Sequence, residues 1–138
     1  MSLVLDASIV LKWFLPEPGF EAAQKLRRPD LECEAPDLLL LEACNALWKH
    51  VRRGAVGADV AEAAVTALAE APIAWRPAET LFADAYGLAI ETGRTVYDCT
   101  YLALALRSGA PLVTADRRFH DAISATRHSA HIQWIENV

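Results

Sequence analysis

The stretch LVLDAS at residues 3–8 decides the fold prediction for this chain. Its first three residues are apolar and suit a buried β-strand, yet the run stops abruptly on the carboxylate of Asp6. A second stretch, PLVTAD at residues 111–116, repeats the pattern and reaches Asp116. Since an ionised carboxylate is costly to bury, two buried strands that each end on an acid call for a chemical reason.

Apolar strands and helices alternate along the whole chain. The predicted strands are Leu3–Leu5, Cys33–Ala35, Ile73–Trp75, Leu112–Thr114 and Ile132–Ile135. The predicted helices are Ile9–Leu15, Phe20–Leu26, a helix N-capped by Asp37 and running to about Arg53, Ala58–Glu70, Ala78–Glu91, Tyr97–Arg107 and Arg117–Ala125. This alternation predicts one α/β domain over residues 1–138, with helices on both faces of a parallel sheet. Ligands bind such sheets beyond the carboxyl ends of the strands.

Composition limits the function classes. A chain of 138 residues with 54% hydrophobic and 22% charged residues is typical of one globular domain. No apolar run is long enough to cross a membrane and the N-terminus lacks a secretory signal, so we expect a cytoplasmic protein. The three cysteines, interpreted as small buried hydrophobes, and the four histidines show no zinc-ligand spacing. The net charge of −5 argues against nonspecific coating of nucleic acid, but not against an enzyme that recruits cations.

The acids at the strand ends are the first candidate site residues. If the strands that precede Asp6 and Asp116 are neighbours, their carboxylates converge, because neighbouring strands lie about 4.8 Å apart. Taken alone, either residue could equally be a helix N-cap. Asp98 could likewise serve only to complement the dipole of its helix.

Glu42 is harder to explain as a structural residue. It lies in DLLLLEACNALW, on a helix that is apolar nearly all round, where an unpaired carboxylate costs several kcal/mol, so it needs a partner. If it met the other three acids, each close pair would repel by about 4 kcal/mol at ~4 Å and an effective dielectric of ~20. A cation resolves the conflict, and oxygen ligands favour Mg²⁺ or Mn²⁺. Ser8 and Thr114 could hydrogen-bond these carboxylates, or could be caps.

Four motifs in order resemble those of a known family. They are LDAS, EACNAL with Glu42 and Asn45, YDCTYLALA with Asp98 and Tyr101, and LVTADRRF with Thr114 and Asp116. From Leu3 to Ile135 the chain resembles PIN-domain nucleases, and more narrowly the VapC-type toxins of bacterial toxin-antitoxin pairs. The main departure from the family pattern is Cys99, where alanine is more usual beside the acid.

The resemblance implies a three-layer fold with a five-stranded parallel sheet in the order 3-2-1-4-5. It also implies Mg²⁺-dependent endonucleolytic cleavage of RNA, a cognate antitoxin and a homodimer. Asn45, like Ser8 and Thr114, is expected to lie around the acids and hold them in place without binding the metal itself. The catalytic and metal-binding residues would be Asp6, Glu42, Asp98 and Asp116.

Three cations are candidate phosphate contacts, namely Lys49, Arg117 and Arg118, although each could simply be solvated. The apolar surfaces of the helices over Leu38–Val51 and Ala58–Leu68 could receive a partner peptide, or could be ordinary core.

Other protein classes with a small α/β domain fit this sequence less well than a nuclease does. A receiver domain needs a late lysine, but the lysines are Lys12, Lys25 and Lys49 only. A haloacid-dehalogenase-like phosphatase needs D-x-D after its first strand, where this chain has Asp6, Ala7 and Ser8. Nucleotide-binding glycine motifs are missing. The alternative from another class is an inactive scaffold that uses the fold to bind proteins.

Overall fold

A computed structural model describes all 138 residues. Its strands are β1 Ser2–Leu5, β2 Glu32–Pro36, β3 Ile73–Arg76, β4 Leu112–Thr114 and β5 Ile132–Trp134. Its helices are α1 Ala7–Leu11, α2 Phe20–Gln24, α3 Leu38–Arg52, α4 Ala58–Ala69, α5 Phe82–Thr92, α6 Val96–Ser108 and α7 Arg117–Ser124. All five strands are parallel and form one sheet in the order β3-β2-β1-β4-β5. The predicted fold class and strand order are confirmed.

The central strand β1 lies between β2 and β4, and its last three residues are fully buried. Leu5 is level with Val113 of β4, and the backbone N–H of Asp6 donates to the carbonyl of Val113 at 3.4 Å. The carboxyl ends of β1 and β4 therefore lie side by side, as the convergence of Asp6 and Asp116 requires.

Helix α6 forms the middle of the main core. Every residue from Cys99 to Ala105 is buried, and the helix packs against β1, β2 and β4. A smaller cluster joins α3 to α4 through Leu15, Leu47, Ala61 and Ala64. Part of the apolar surface considered for a partner is thus core. None of the helices combines the length and the apolarity needed to cross a bilayer.

Two predicted helices differ from the observed ones. Helix α1 starts at Ala7 rather than Ile9, because the Asp6 side chain caps it by accepting from the N–H of Ile9. It ends at Leu11, and the chain then turns ahead of Pro16, which disfavours helical backbone in the residue before it. The region predicted as one helix from Ala78 splits into a short 3₁₀ turn over Ala78–Thr80 and helix α5.

Asp37 and Cys44 also differ from expectation. Asp37 precedes α3, but its side chain makes no capping bond there and accepts instead from the N–H of Ala78 at 2.9 Å. This bond ties the ends of β2 and β3 together. Cys44 is only partly buried, whereas Cys33 and Cys99 are buried as predicted.

Candidate active site

Asp6 lies at the end of the central strand and is only 5% exposed. Its Oδ2 accepts from the Thr114 hydroxyl, and its Oδ1 accepts from the Ser8 hydroxyl and from the N–H of Ile9 at 3.3 Å. The side chain therefore caps α1 and also faces the end of β4. Ser8 and Thr114 hydrogen-bond this carboxylate as predicted, and Asp6 also has the alternative role of a helix N-cap.

The two hydroxyls have fixed orientations. The N–H of Ala115 donates to the Ser8 oxygen at 2.9 Å, and the N–H of Asp116 donates to the Thr114 oxygen at 3.0 Å. Each hydroxyl therefore uses its single proton to donate a hydrogen bond to the carboxylate of Asp6. Burial nevertheless raises the pKa of Asp6 to about 6, and the charge of Asp116 adds to the effect, although the hydrogen bonds oppose it.

Asp116 stands two residues beyond β4 and is exposed. Its Oδ1 accepts from the N–H of Phe119 at 3.2 Å and caps α7, while its Oδ2 accepts no hydrogen bond from the protein. As for Asp6, the capping interpretation is correct without excluding a role in the site.

Glu42 has a hydrogen-bond partner, as its position on an apolar helix predicts. The hydroxyl of Tyr101, on the buried part of α6, donates to Glu42 Oε1 at 2.5 Å. The partner is thus a neutral phenol rather than a base. Burial raises the pKa of Glu42, and the neighbouring charge of Asp98 adds to the effect. The pKa of Tyr101 is raised by burial and by the nearby charges of Glu42, Asp6 and Asp98.

Asp98 pairs with Arg94, a residue that was not predicted to belong to the site. Arg94 donates from Nε at 3.2 Å and from Nη2 at 2.8 Å to the same oxygen, Asp98 Oδ2. Burial raises the pKa of Asp98 and the charge of Asp116 adds to this, while Arg94 opposes both. The only sequence signal was the i, i+4 spacing of Arg94 and Asp98, which is common on helix surfaces.

The four acids belong to one electrostatic site. The pKa shifts link Asp6 to Asp116, Glu42 to Asp98, and Asp98 to Asp116. However, no three His, Cys, Asp or Glu side chains are grouped closely enough to hold a metal ion as they stand. The carboxylates are close enough to repel one another, while one oxygen of Asp98 is held by Arg94.

The remaining predicted residues occupy different positions. Asn45 is exposed on α3 and its side chain bonds to none of the acids, so its supporting role stays a prediction. Lys49 and Arg118 are exposed and pair with no carboxylate. Arg117 lies against the ring of Trp134, with its guanidinium carbon 3.7 Å from the ring centroid. Trp134 was not predicted as a site residue.

Comparisons with known proteins identify the family of the chain. The model of the PIN domain family matches residues 3–123. The chain belongs to the PIN domain family. Ribonuclease VapC3 from Pyrobaculum aerophilum is 38% identical over 128 residues, which are 91% of this chain and 97% of that protein. Within the family, this PIN domain therefore belongs with the VapC proteins.

Two solved structures have similar folds. The structure of PAE2754 from Pyrobaculum aerophilum has a TM-score of 0.70 and 28% identity, and the match covers 99% of this PIN domain and 85% of that chain. A chain of a toxin-antitoxin complex from Klebsiella pneumoniae has a TM-score of 0.65 and 14% identity, and the match covers 95% of each chain. The second match, at its low identity, shows the shared fold alone.

The raised pKa of Asp6 predicts that the difference in stability between the parent protein and its Asp6→Asn variant depends on pH. Between the unfolded value of 3.8 and the folded value of about 6, the folded state holds a proton that the unfolded state loses, so stability falls as pH rises. With divalent cations chelated, we expect Asp6→Asn to raise the free energy of unfolding by about 1 to 3 kcal/mol at pH 8. The gain should disappear below about pH 4. Urea denaturation of both proteins across this range measures it. An equal effect at pH 4 and pH 8 would contradict the assignment.

Loss of Arg94 should shift the titration of Asp98. In Arg94→Gln, burial and the charge of Asp116 act unopposed, so we expect the pKa of Asp98 to rise further. Carboxyl ¹³C NMR titration of the metal-free protein measures this directly. The matched control is Arg107→Gln, because Arg107 pairs with Asp84 on the surface, and it should leave Asp98 unchanged. An unaltered pKa in Arg94→Gln would show that the ion pair is electrostatically unimportant.

Proposed function

We propose that this PIN domain is a metal-dependent endoribonuclease that acts as the toxin of a toxin-antitoxin pair. The observation that carries the proposal is a set of four acids linked by charge repulsion between Asp6 and Asp116, Asp98 and Asp116, and Glu42 and Asp98; three of the four have raised pKa values. The 38% identity to a protein named Ribonuclease VapC3 supports the choice of RNA as substrate.

The donor set fits a hard divalent cation. Asp6, Glu42, Asp98 and Asp116 offer only carboxylate oxygens, which suit Mg²⁺ or Mn²⁺. These four residues would hold the ion, and Asp98 would then share or exchange its bond to Arg94. When bound, the ion would supply positive charge that stabilises the phosphate in the transition state and would make a water molecule more acidic.

The side chains of the protein have separate tasks in this mechanism. Ser8 and Thr114 hold both oxygens of Asp6 in a fixed orientation, and Tyr101 does the same for one oxygen of Glu42. Asp116 is the most exposed of the four acids and keeps Oδ2 unbonded. We therefore assign Asp116 to accept a proton from the water that attacks phosphorus. The leaving ribose oxygen takes up a proton from solvent.

The scaffold hypothesis is weaker. A protein that used this fold only for binding would gain stability by replacing buried, unneutralised carboxylates with neutral residues. Asp6 in particular is ionised at neutral pH although this lowers the stability of the folded protein, because its pKa is raised. Retention of such an acid favours a catalytic role.

Two partners belong to the proposal, and both would act in the cytoplasm. Exposed apolar residues of α5, Phe82, Tyr86 and Ile90, follow one another at i, i+4 and i+8 and form a stripe that suits a second copy of the chain. On α3, Leu41 is 73% exposed beside Glu42 and suits an antitoxin that covers the acid site. A homodimer and a cognate antitoxin are proposed on these surfaces.

The central test is cleavage of RNA by the purified protein. We expect Mg²⁺-dependent endonucleolytic cuts in total RNA, lost by at least about 100-fold in Asp6→Asn and in Asp116→Ala. The matched control is Asp30→Asn, which removes an exposed acid just before β2, at the opposite edge of the sheet. Its cleavage should equal that of the parent. Full activity in a folded Asp6→Asn protein would refute the site assignment.

The two partner surfaces can be separated by a matched pair of charge insertions. Ile90 is 72% exposed and Leu41 is 73% exposed, so Glu at either position leaves the core intact. Ile90→Glu should yield monomers that still bind the antitoxin encoded beside the gene. Leu41→Glu should leave the dimer intact and weaken antitoxin binding about tenfold or more. Sedimentation equilibrium and titration calorimetry measure the two effects, and a monomeric parent protein would contradict the homodimer.

A further inference from the structure

A row of three residues crosses the carboxyl edge of the sheet. Thr114 of β4 is level with Trp134 of β5, and on its other side Thr114 bonds to Asp6, the residue after β1. Residues that are level in parallel strands project to the same face of the sheet. Trp134 therefore stands two strand spacings, about 10 Å, from Asp6 and on the same face.

Trp134 is covered on one side by an arginine without a counter-ion. The Arg117 guanidinium carbon lies 3.7 Å from the centroid of the Trp134 ring, and His120 approaches the same ring edge-on with centroids 5.9 Å apart. Arg117 is exposed and forms no ion pair, as is also true of Arg118, whereas Arg94 at the acid site pairs with Asp98. Its charge and its outer face are available to a ligand.

The chemistry of this pair favours a nucleotide. A planar guanidinium stacks on flat π-systems and donates hydrogen bonds to phosphate from its edge, a combination that lysine lacks. Proteins that bind single-stranded RNA stack unpaired bases on aromatic rings and on arginine planes. Because the guanidinium of Arg117 lies over Trp134, about 10 Å from Asp6, a base stacked there would belong to a nucleotide near a phosphate bound at the acids.

We propose that Arg117 and Trp134 form a stacking site for one unpaired base of the RNA substrate, adjacent to the cleaved phosphate. The inference rests on the proposed ribonuclease function and narrows its substrate class. RNA that is paired at this nucleotide cannot offer the face of its base. A substrate that uses this stacking site is therefore unpaired at that nucleotide.

The test measures RNA binding in an Asp6→Asn background, which prevents cleavage. Fluorescence anisotropy follows a labelled single-stranded octamer and the same octamer within a duplex, at constant salt. We expect Arg117→Lys and Trp134→Leu each to weaken binding of the single strand about tenfold or more. Trp134→Phe should be affected less, and duplex binding should not change. Circular dichroism confirms that each variant is folded.

A second stacked pair provides the matched control. Arg52 lies 5.0 Å from the centroid of Trp48 on α3, about 15 Å along the helix axis from Glu42. Arg52→Lys and Trp48→Leu remove an arginine–tryptophan stack away from the acids. Both variants should bind the single strand as the parent does. Scanning one abasic nucleotide along the octamer should reveal a position that weakens binding to the parent but not to Trp134→Leu.

The outcomes separate this inference from the function on which it rests. If the Asp6→Asn parent binds no RNA, both fail. If the parent binds and the Arg117 and Trp134 variants bind equally well, only the stacking site fails. A lowered melting temperature with unchanged RNA affinity would show that the pair merely stabilises the end of β5 and would overturn the inference.

Discussion

The buried carboxylate of Asp6, held by hydroxyls from two directions, is the interaction on which the site depends. Ser8 reaches it from the first turn of α1 and Thr114 from the end of β4, so one side chain joins the central strand to its neighbour. Hydrogen bonds satisfy the oxygens but leave the charge, because hydroxyls bring no positive charge. The pKa of Asp6 is consequently raised. The ionised carboxylate therefore destabilises the folded protein at the point where β1 and β4 end side by side.

The other acids are satisfied in different ways that together preserve negative charge. Glu42 bonds to a phenol and Asp116 to a backbone N–H, and only Asp98 meets a protein cation. The site is therefore held in place without being neutralised, and this is the condition under which an external cation gains most by binding. Arg94 offsets part of the repulsion at Asp98, which helps the metal-free chain to fold, and it occupies one of the two carboxylate oxygens of Asp98.

The sequence predicts the architecture better than it predicts the contacts. Apolar runs that end on Asp6 and Asp116 mark two strands, and the resemblance to PIN domains places them side by side; the structure confirms this order. Arg94 could not be singled out, because its i, i+4 spacing from Asp98 looks like an ordinary surface pair. Trp134 could not be found either. Only the register of β5 against β4 shows that it is level with Thr114.

Charge also limits how the proposed ribonuclease would select RNA. A chain with a formal net charge of −5 and four clustered acids gains little from nonspecific contacts with phosphate, since such binding scales with the number of cations engaged. Attraction must be local, and the unpaired cations near the acids, Arg117 and Arg118, flank them on the β4 side. Phosphate contacts weaken as the salt concentration rises, whereas stacking requires the exposed face of an unpaired base. Selection by an accessible base therefore suits this surface better than selection by backbone charge.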